Sequence, residues 1–276
     1  MATVPNVTLN NGVVIPQLGF GVFQVPPEQT QRVVEDALEA GYRHIDTAAA
    51  YGNESGVGGA IAASGIPREE IFITTKLRNG EHSTTAEAFE ASRRALGVDV
   101  IDLYLIHWPV PSQGLFVHAW QAMEKIYAAD GARAIGVSNF LQDHLDTLLA
   151  ATTVVPAVNQ FELHPTFQQA ALSAQCSALE IAVEAYSPLG RGADLNAEAV
   201  TALAHRHGAT PAQIVLGWHL GVDNIVIPKS TQPHRMRENL AAAEITLSQD
   251  ELDAITALDS GARIGADPAE AAFTQM

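Results

Sequence analysis

The sequence is poor in several features, and each shortage excludes something. Among 276 residues there is one cysteine, Cys176, so no intrachain disulfide can form and no metal site can rest on cysteines alone. It falls in a helix-like stretch, Phe167 to Ser177, and reads as a small packing residue. No apolar run reaches the roughly 18 residues that a transmembrane helix needs. The opening MATVPNVTLNNG lacks the basic segment and apolar run of a secretory signal, so a cytoplasmic location is the default expectation. Positive charge is scarce: 15 Lys and Arg stand against 31 Asp and Glu, for a formal charge of −16. Nucleic acids and anionic membranes both require a basic face, so neither is expected as a partner. No stretch reads as a dimerisation stripe, and a monomer is expected.

What the sequence does have is a rhythm. Short apolar, β-branched runs occur at Leu18–Val22, His44–Thr47, Ile71–Lys76, Leu103–Trp108, Ala134–Ser138, Ala157–Phe161, Ala182–Tyr186 and Ile225–Pro228. Stretches of helical period separate them: Glu28–Ala40, Asn53–Ser64, Thr84–Leu96 behind a threonine cap, Phe116–Ala129, Leu141–Ala151 and Phe167–Ser177. Two helical stretches, Ala197–His207 and Pro211–Leu220, precede the last strand, and Pro233–Leu240 and Gln249–Leu258 follow it. Strands that each lead into a helix imply a parallel sheet. The length fits a closed (β/α)8 TIM barrel, typically about 250 residues, as a single domain over residues 1–276. An open dinucleotide-binding sheet is disfavoured, because the first strand leads into GFGVFQV and prolines rather than GxGxxG. The opening VTLNNGVVIPQLG reads as a β-hairpin turning at Asn10-Asn11-Gly12, and the surplus helical stretches as two extra helices. The tail from Gly261 to Met276 reads as loop.

In such a barrel the chemistry sits at the C-terminal ends of the strands. That rule places Asp46 at the tip of the second strand with Tyr51 just beyond, Lys76 at the tip of the third and His107 at the tip of the fourth. A phenol is a poor acid at neutral pH. A nearby ammonium favours its phenolate, and a carboxylate would hold that ammonium charged. A histidine beside the phenol can hydrogen-bond to the same carbonyl oxygen. The set suits hydride transfer to an aldehyde or ketone, for which the hydride must come from a nicotinamide.

The runs HIDTA…YGNE, TTK, LIHWP, IGVSNF, NQ-x-E-x-HP, YSPLG and IPKS, in this order from Val7 to Asp259, resemble the aldo-keto reductase family. The closest likeness is to its bacterial 2,5-diketo-D-gluconate reductase branch. The resemblance implies Tyr51 as proton donor, Lys76 and Asp46 as the pair that tunes it, and His107 as the residue that orients the carbonyl. It implies NADPH as cofactor. Ser138, Asn139 and Gln160 would hold the carboxamide, Tyr186 would stack on the nicotinamide, and Ser187, Leu189, Gly190 and Gly192 belong to the loop beside the pyrophosphate. At the adenosine end Lys229, Ser230, Thr231 and Arg235 would take the 2′-phosphate, with Glu238 and Asn239 near the adenine. The residues themselves agree, since a basic cluster in so acidic a chain points to an anion site.

The expected substrate walls are Phe23, Ala48, Ala49, Arg78 and Trp108, with Tyr186 and part of the tail. A short stretch after the fourth strand and a short tail imply an open pocket for small aldehydes, α-dicarbonyls, keto esters or keto sugars. Two features depart from the diketo-gluconate branch: Arg78 stands where that branch carries an aromatic, and the tail GARIGADPAE lacks its histidine. Arg78 fits a carboxylate-bearing substrate or a solvent-facing role equally well. His164 reads as structural, His205, His207 and His219 as surface or packing residues, and Glu54 as a helix-start residue. His44, His107 and His164 lack the spacing of a zinc site, so no metal is expected. Two other functions stand against the reductase. One is an NADPH-binding sensor with little turnover. The other is a hydrolase, for which only Asp46 and Glu162 would serve as acids.

Overall fold

The computed structural model describes residues 3–276. Two short strands, β1 (Asn6–Thr8) and β2 (Val14–Pro16), form an antiparallel hairpin. Eight parallel strands follow: β3 (Phe20–Gly21), β4 (His44–Asp46), β5 (Phe72–Leu77), β6 (Ile101–Ile106), β7 (Ala132–Ser138), β8 (Val158–Glu162), β9 (Ala182–Tyr186) and β10 (Ile225–Val226). Each pairs with the next in sequence. A parallel bridge between Leu18 and Val226 joins last to first: Gly19 donates to Val226 O at 2.8 Å, and Val226 donates to Gln17 O at 2.8 Å. The sheet is therefore a closed (β/α)8 barrel.

Helices α1 (Pro27–Ala40), α2 (Glu54–Ala63), α3 (Thr85–Leu96), α4 (Phe116–Ala128), α5 (Gln142–Ala151) and α6 (Ala170–Ala178) link consecutive strands. Helices α7 (Glu198–His207) and α8 (Pro211–Gly221) lie between β9 and β10, and α9 (Pro233–Leu240) and α10 (Gln249–Thr256) follow β10. These boundaries track the hydrophobic periodicity closely, with two differences. Helix α6 starts at Ala170 rather than Phe167, because Gln169 has φ +50° and breaks the helical path. Thr84 precedes α3 but caps nothing, since its hydroxyl donates to Glu81 O instead; a side-chain cap of the expected kind occurs at Thr210, which accepts from Gln213 N. No helix among the described residues is long and apolar enough to cross a membrane.

Alternation along each strand sorts side chains into two groups. Ile73, Leu77, Tyr104, Ile106, Phe161 and Ala185 point outward and pack with the helices in the larger apolar core. Phe72, Leu103, Leu105, Ala134, Val158 and Ile225 point into the barrel, where Leu9 and Ile15 of the hairpin close its lower end. The turn of that hairpin needs Gly12, which has φ +84°. Above this apolar plug the inward positions become polar: His44, Asp46, Thr74, Lys76, Gln160 and Glu184 are all buried there. Gly19 makes this possible at one point, because a Cβ at that position would collide with the His44 imidazole.

Candidate active site at the barrel mouth

Strand β4 delivers Asp46, and after extended Ala48 the chain tightens into a 3₁₀ turn, Ala49–Tyr51, closed by Gly52 at φ +67°. This turn lays Tyr51 over the mouth. Lys76 shares the inward parity of Thr74 on β5, and its Nζ donates to Asp46 Oδ1 (2.7 Å), Asp46 Oδ2 (2.8 Å) and Thr47 O (2.8 Å). Burial is the largest single influence and works against the ammonium, yet Asp46, Tyr51 and Glu184 together outweigh it and hold the Lys76 pKa above its usual value. Gln160 on β8 adds a third donor contact to the carboxylate, Nε2 to Asp46 Oδ2 at 2.8 Å. Nζ of Lys76 lies 5.2 Å from the centre of the Tyr51 ring. The lysine pulls the Tyr51 pKa down, as expected, but burial is the larger effect, and the phenol ends at about 12.

His107 follows β6 directly and is buried, its ring 5.6 Å from that of Tyr51 at an interplanar angle of 71°. Burial, with Lys76 nearby, pushes its pKa well below the usual histidine value, so the imidazole is neutral at pH 7. Its Nδ1 is buried without a partner, which is costly unless a ligand satisfies it. Its main-chain carbonyl accepts from Asn139 Nδ2 at 2.9 Å. Asn139 stands at φ +62° just past β7. Its amide also reaches Ser138 Oγ at 3.1 Å, and its Oδ1 accepts from the Tyr186 hydroxyl at 2.7 Å. One hydrogen-bonded chain thus joins His107, Ser138, Asn139 and Tyr186. The loop after β9 is tightly bent: Ser187 (φ +49°), Gly190 (+56°), Arg191 (+52°) and Gly192 (+94°) are all left-handed. Non-glycine residues in that region are strained and cluster at ligand-binding loops. His219, expected as a surface or packing residue, is fully buried and bonded to Pro188 O at 3.1 Å, which braces this loop.

Beyond the loop lies a cavity of about 490 Å³, lined by Leu189, Leu195, Thr210, Lys229, Ser230, Thr231, Arg235, Glu238 and Asn239, among others. Leu189 and the six residues assigned to the adenosine end are thus brought together. Neither Lys229 nor Arg235 forms a salt bridge among the described residues. Two unpaired cations lining a cavity in a chain of charge −16 suit an anionic ligand.

The side of the mouth assigned to substrate departs from expectation. Phe23 is 41 % exposed and leans on Tyr51 with ring centres 5.0 Å apart. Ala48 is fully buried, and Ala49 O accepts from Arg78 Nη2 at 3.0 Å. Trp108 is only 6 % exposed, because Phe273 of the tail packs edge-on against it at 5.1 Å. The tail is anchored rather than loose. Ile264 N and Gly265 N donate to the Glu162 carboxylate at 2.6 and 2.7 Å, and Asn79 Nδ2 donates to Phe273 O at 3.0 Å. A Cβ at Gly265 would strike Glu162 Oε2. The pocket is therefore less open than the short tail implied. Glu162, spent on tail amides and on His164, is not free to act as a hydrolytic acid.

His164 is structural, as expected: it sits between Glu162 (3.2 Å) and Asp194 (2.8 Å). Burial opposes its charge, but bonds to Asp194 and Glu162 prevail and raise its pKa to about 9. Glu54 starts α2, yet its carboxylate accepts from Thr75 Oγ1 at 2.6 Å and ties the helix to β5. Cys176 is buried against Asn159. Among the described residues no group of three or more His, Cys, Asp or Glu side chains is arranged to hold a metal ion. Two features escaped the sequence reading. Glu162 meets the main-chain amides of Ile264 and Gly265 across about 100 residues of chain and left no local signal. Glu184 did leave one: it is a lone acid at an inward position of an otherwise apolar strand.

Comparison with known proteins decides the family. The model of the Aldo/keto reductase family matches residues 17–260. The chain belongs to the aldo/keto reductase family. An "Aldo-keto reductase" of Mycolicibacterium smegmatis (strain ATCC 700084 / mc(2)155) is 50 % identical over 272 residues, covering 98 % of this chain and 99 % of that relative. Among solved structures this reductase is similar to Gox0644 in its apo form, with TM-score 0.95 and 44 % identity over 98 % of this chain and 100 % of that one. It is also similar to a variant of Gox0644 in complex with NADPH, with TM-score 0.94 and 43 % identity over 98 % and 100 % of the two chains.

Proposed function

We propose that the chain reduces small aldehydes and ketones to alcohols with NADPH, using Tyr51 as the proton donor. The observation that carries this reading is a pair of features on either side of the loop after β9: the Tyr51–Lys76–Asp46–His107 group at the barrel mouth and a cavity with two unpaired cations beyond the loop. The complex of a close structural relative with NADPH supports it.

The donor set fits the cofactor. Lys229 and Arg235, with Ser230 and Thr231, would hold the 2′-phosphate, and Glu238 and Asn239 would flank the adenine. The loop of Ser187, Leu189, Gly190 and Gly192 would follow the pyrophosphate. Ser138, Asn139 and Gln160 would take the carboxamide, with Tyr186 against the ring. Bound there, a nicotinamide supplies the hydride. The chain's own residues do the rest. Neutral His107 offers a ring N–H that orients the carbonyl oxygen. Tyr51 gives its phenolic proton to that oxygen as negative charge builds on it, and the positive charge of Lys76 eases formation of the phenolate left behind. Asp46 keeps Lys76 charged and aimed. Because burial holds Tyr51 near pKa 12, the phenol keeps its proton at neutral pH until the reaction draws it.

For the substrate, the walls are Phe23, Ala49, Arg78 and Trp108, with Ala48 buried behind them, and the classes that fit are small aldehydes, α-dicarbonyls, keto esters and keto sugars, the last including the diketo-gluconate type. Absorbance at the NADPH band, with a panel of these carbonyls, tests the reading. Wild type is expected to consume NADPH, and Tyr51→Phe to lose about 10²–10⁴-fold in kcat. No consumption with any carbonyl, or an undiminished Tyr51→Phe, would sink it.

A further inference from the structure

Below Asp46 the barrel holds a second carboxyl group that this mechanism does not use. Glu184 is the central residue of β9, paired in register with Gln160 of β8 and Ile225 of β10. It is fully buried. No hydrogen-bond partner reaches either carboxyl oxygen. Asp46 is treated very differently: its two oxygens receive Lys76 twice and Gln160 once. The remaining contact of Lys76 goes to Thr47 O. The nearest basic group to Glu184 is His44, whose Nε2 lies 3.7 Å from Oε1 and 3.1 Å from Thr74 Oγ1. Burial drives the His44 pKa down to about 3, so this imidazole brings no charge.

This layer of the interior thus contains two carboxyl groups, Asp46 and Glu184, and one ammonium, whose contacts go to Asp46 and Thr47 O. In so buried a position a second, unpaired carboxylate is costly, and adjacent acids in unequal surroundings titrate apart. We propose that Glu184 is a positioning residue for the reduction: kept as an uncharged acid beneath Asp46, it leaves Lys76 a single anion to serve, and its ionisation in alkaline solution slows the reaction by opposing the negative charge that must form on Tyr51.

The charged and titratable groups that face it are His44 and Asp46 from β4, Lys76 from β5 and Tyr51 from the 3₁₀ turn; Gln160 and Ile225 beside it carry no charge. Burial first, then the charge of Asp46, hold the Glu184 pKa well above the usual carboxylate range, against smaller opposing pulls from Gln160 and Lys76. The same charge, when present, acts on Tyr51 in the direction that holds its proton on. In the chemical step the Tyr51 O–H bond breaks, its proton goes to the carbonyl oxygen, and water later restores it. Glu184 exchanges its proton with solvent and hands none to the substrate.

This inference rests on the reductase reading above, and the test separates the two. The measurement is kcat for reduction of one small aldehyde at saturating NADPH across pH, for wild type, Glu184→Gln and the apolar Glu184→Met. Wild-type kcat is expected to step down to a lower plateau, by about tenfold or more, as pH rises through the Glu184 titration, as a single ionisation to a slower form requires. In both variants that limb moves up by at least about one pH unit, which a merely structural role would not do. Infrared difference spectra of the cofactor-free protein between about pH 6 and about pH 10 should show one protonated-carboxyl band being lost, and Glu184→Gln should lack it. An unmoved alkaline limb in either folded variant, or the absence of that band from wild type, overturns the proposal. A wild type that turns over no carbonyl at any pH overturns the reductase reading instead, and the infrared band still reports whether Glu184 carries a proton.

Discussion

The two ends of the barrel interior are built from the same strands and obey opposite rules. At the lower end Phe72, Leu103, Leu105, Val158 and Ile225 pack against Leu9 and Ile15 of the hairpin with no charged group among them. Two residues further along β5 the interior holds Thr74, and two beyond that Lys76; β4 contributes His44 and Asp46, and β9 contributes Glu184. The lower end gains stability from area removed from water. The upper end spends stability to bury an ion pair and an uncharged acid. The comparison shows why one fold serves both purposes. A strand changes role in two residues without changing its backbone, because only the inward parity must be kept.

The contrast can be broken at several points. The largest effect is expected at Lys76→Met. Loss of the ammonium leaves Asp46 buried and unpaired and Tyr51 unassisted, so kcat should fall by about 10²–10⁴-fold and stability by about 3–5 kcal/mol. Activity assay and chemical denaturation together check this, and a small change in both would mean that the pair is ornamental. At the other end Ile15→Ala should cost about 2–5 kcal/mol of stability, as cavities in packed cores do, while kcat of the surviving folded enzyme stays close to wild type. A large fall in kcat there would mean that the two ends are coupled. Next comes Arg235→Ala, which removes a charge-assisted contact worth about 1.5–3 kcal/mol. The KM for NADPH should rise about 10- to 100-fold and that for NADH far less; equal effects would remove the 2′-phosphate assignment.

A subtler test uses pH. Because the folded-state pKa of His164 is raised to about 9, the stability it contributes is complete below its ordinary value near 6.5 and is lost as pH climbs through the raised one. The denaturation midpoint of wild type relative to His164→Asn should therefore shrink between about pH 6.5 and about pH 9. A constant difference would mean that the ring is neutral between Glu162 and Asp194. The smallest effect is expected at Arg78→Ala. Since one arm of the guanidinium is already committed to Ala49 O, KM for keto acids should rise only several-fold, about 1 kcal/mol, with neutral carbonyls unaffected; an equal change for both would remove Arg78 from substrate selection.

The strands, the helices and the four residues at the mouth were legible in the sequence because each depends on near neighbours. Short apolar, β-branched runs give strands, a strand's last inward residue gives a mouth position, and Gly12 or Gly52 marks a turn whatever the rest of the chain does. The same parity marks Glu184 as interior. What it does there depends on Asp46 and His44, which approach it only when the barrel closes. The tail illustrates the limit in another way. Its composition says loop, and only the closed barrel brings Glu162 to the amides of Ile264 and Gly265 and Trp108 to Phe273. The sequence by itself thus determined the architecture and which side chains meet at the mouth, since backbone period and turn chemistry are local. Only the tertiary structure decided their charge states and the cover over the pocket. Burial outweighs Lys76 at Tyr51, and desolvation is a property of everything packed around a group rather than of the residues beside it in the chain.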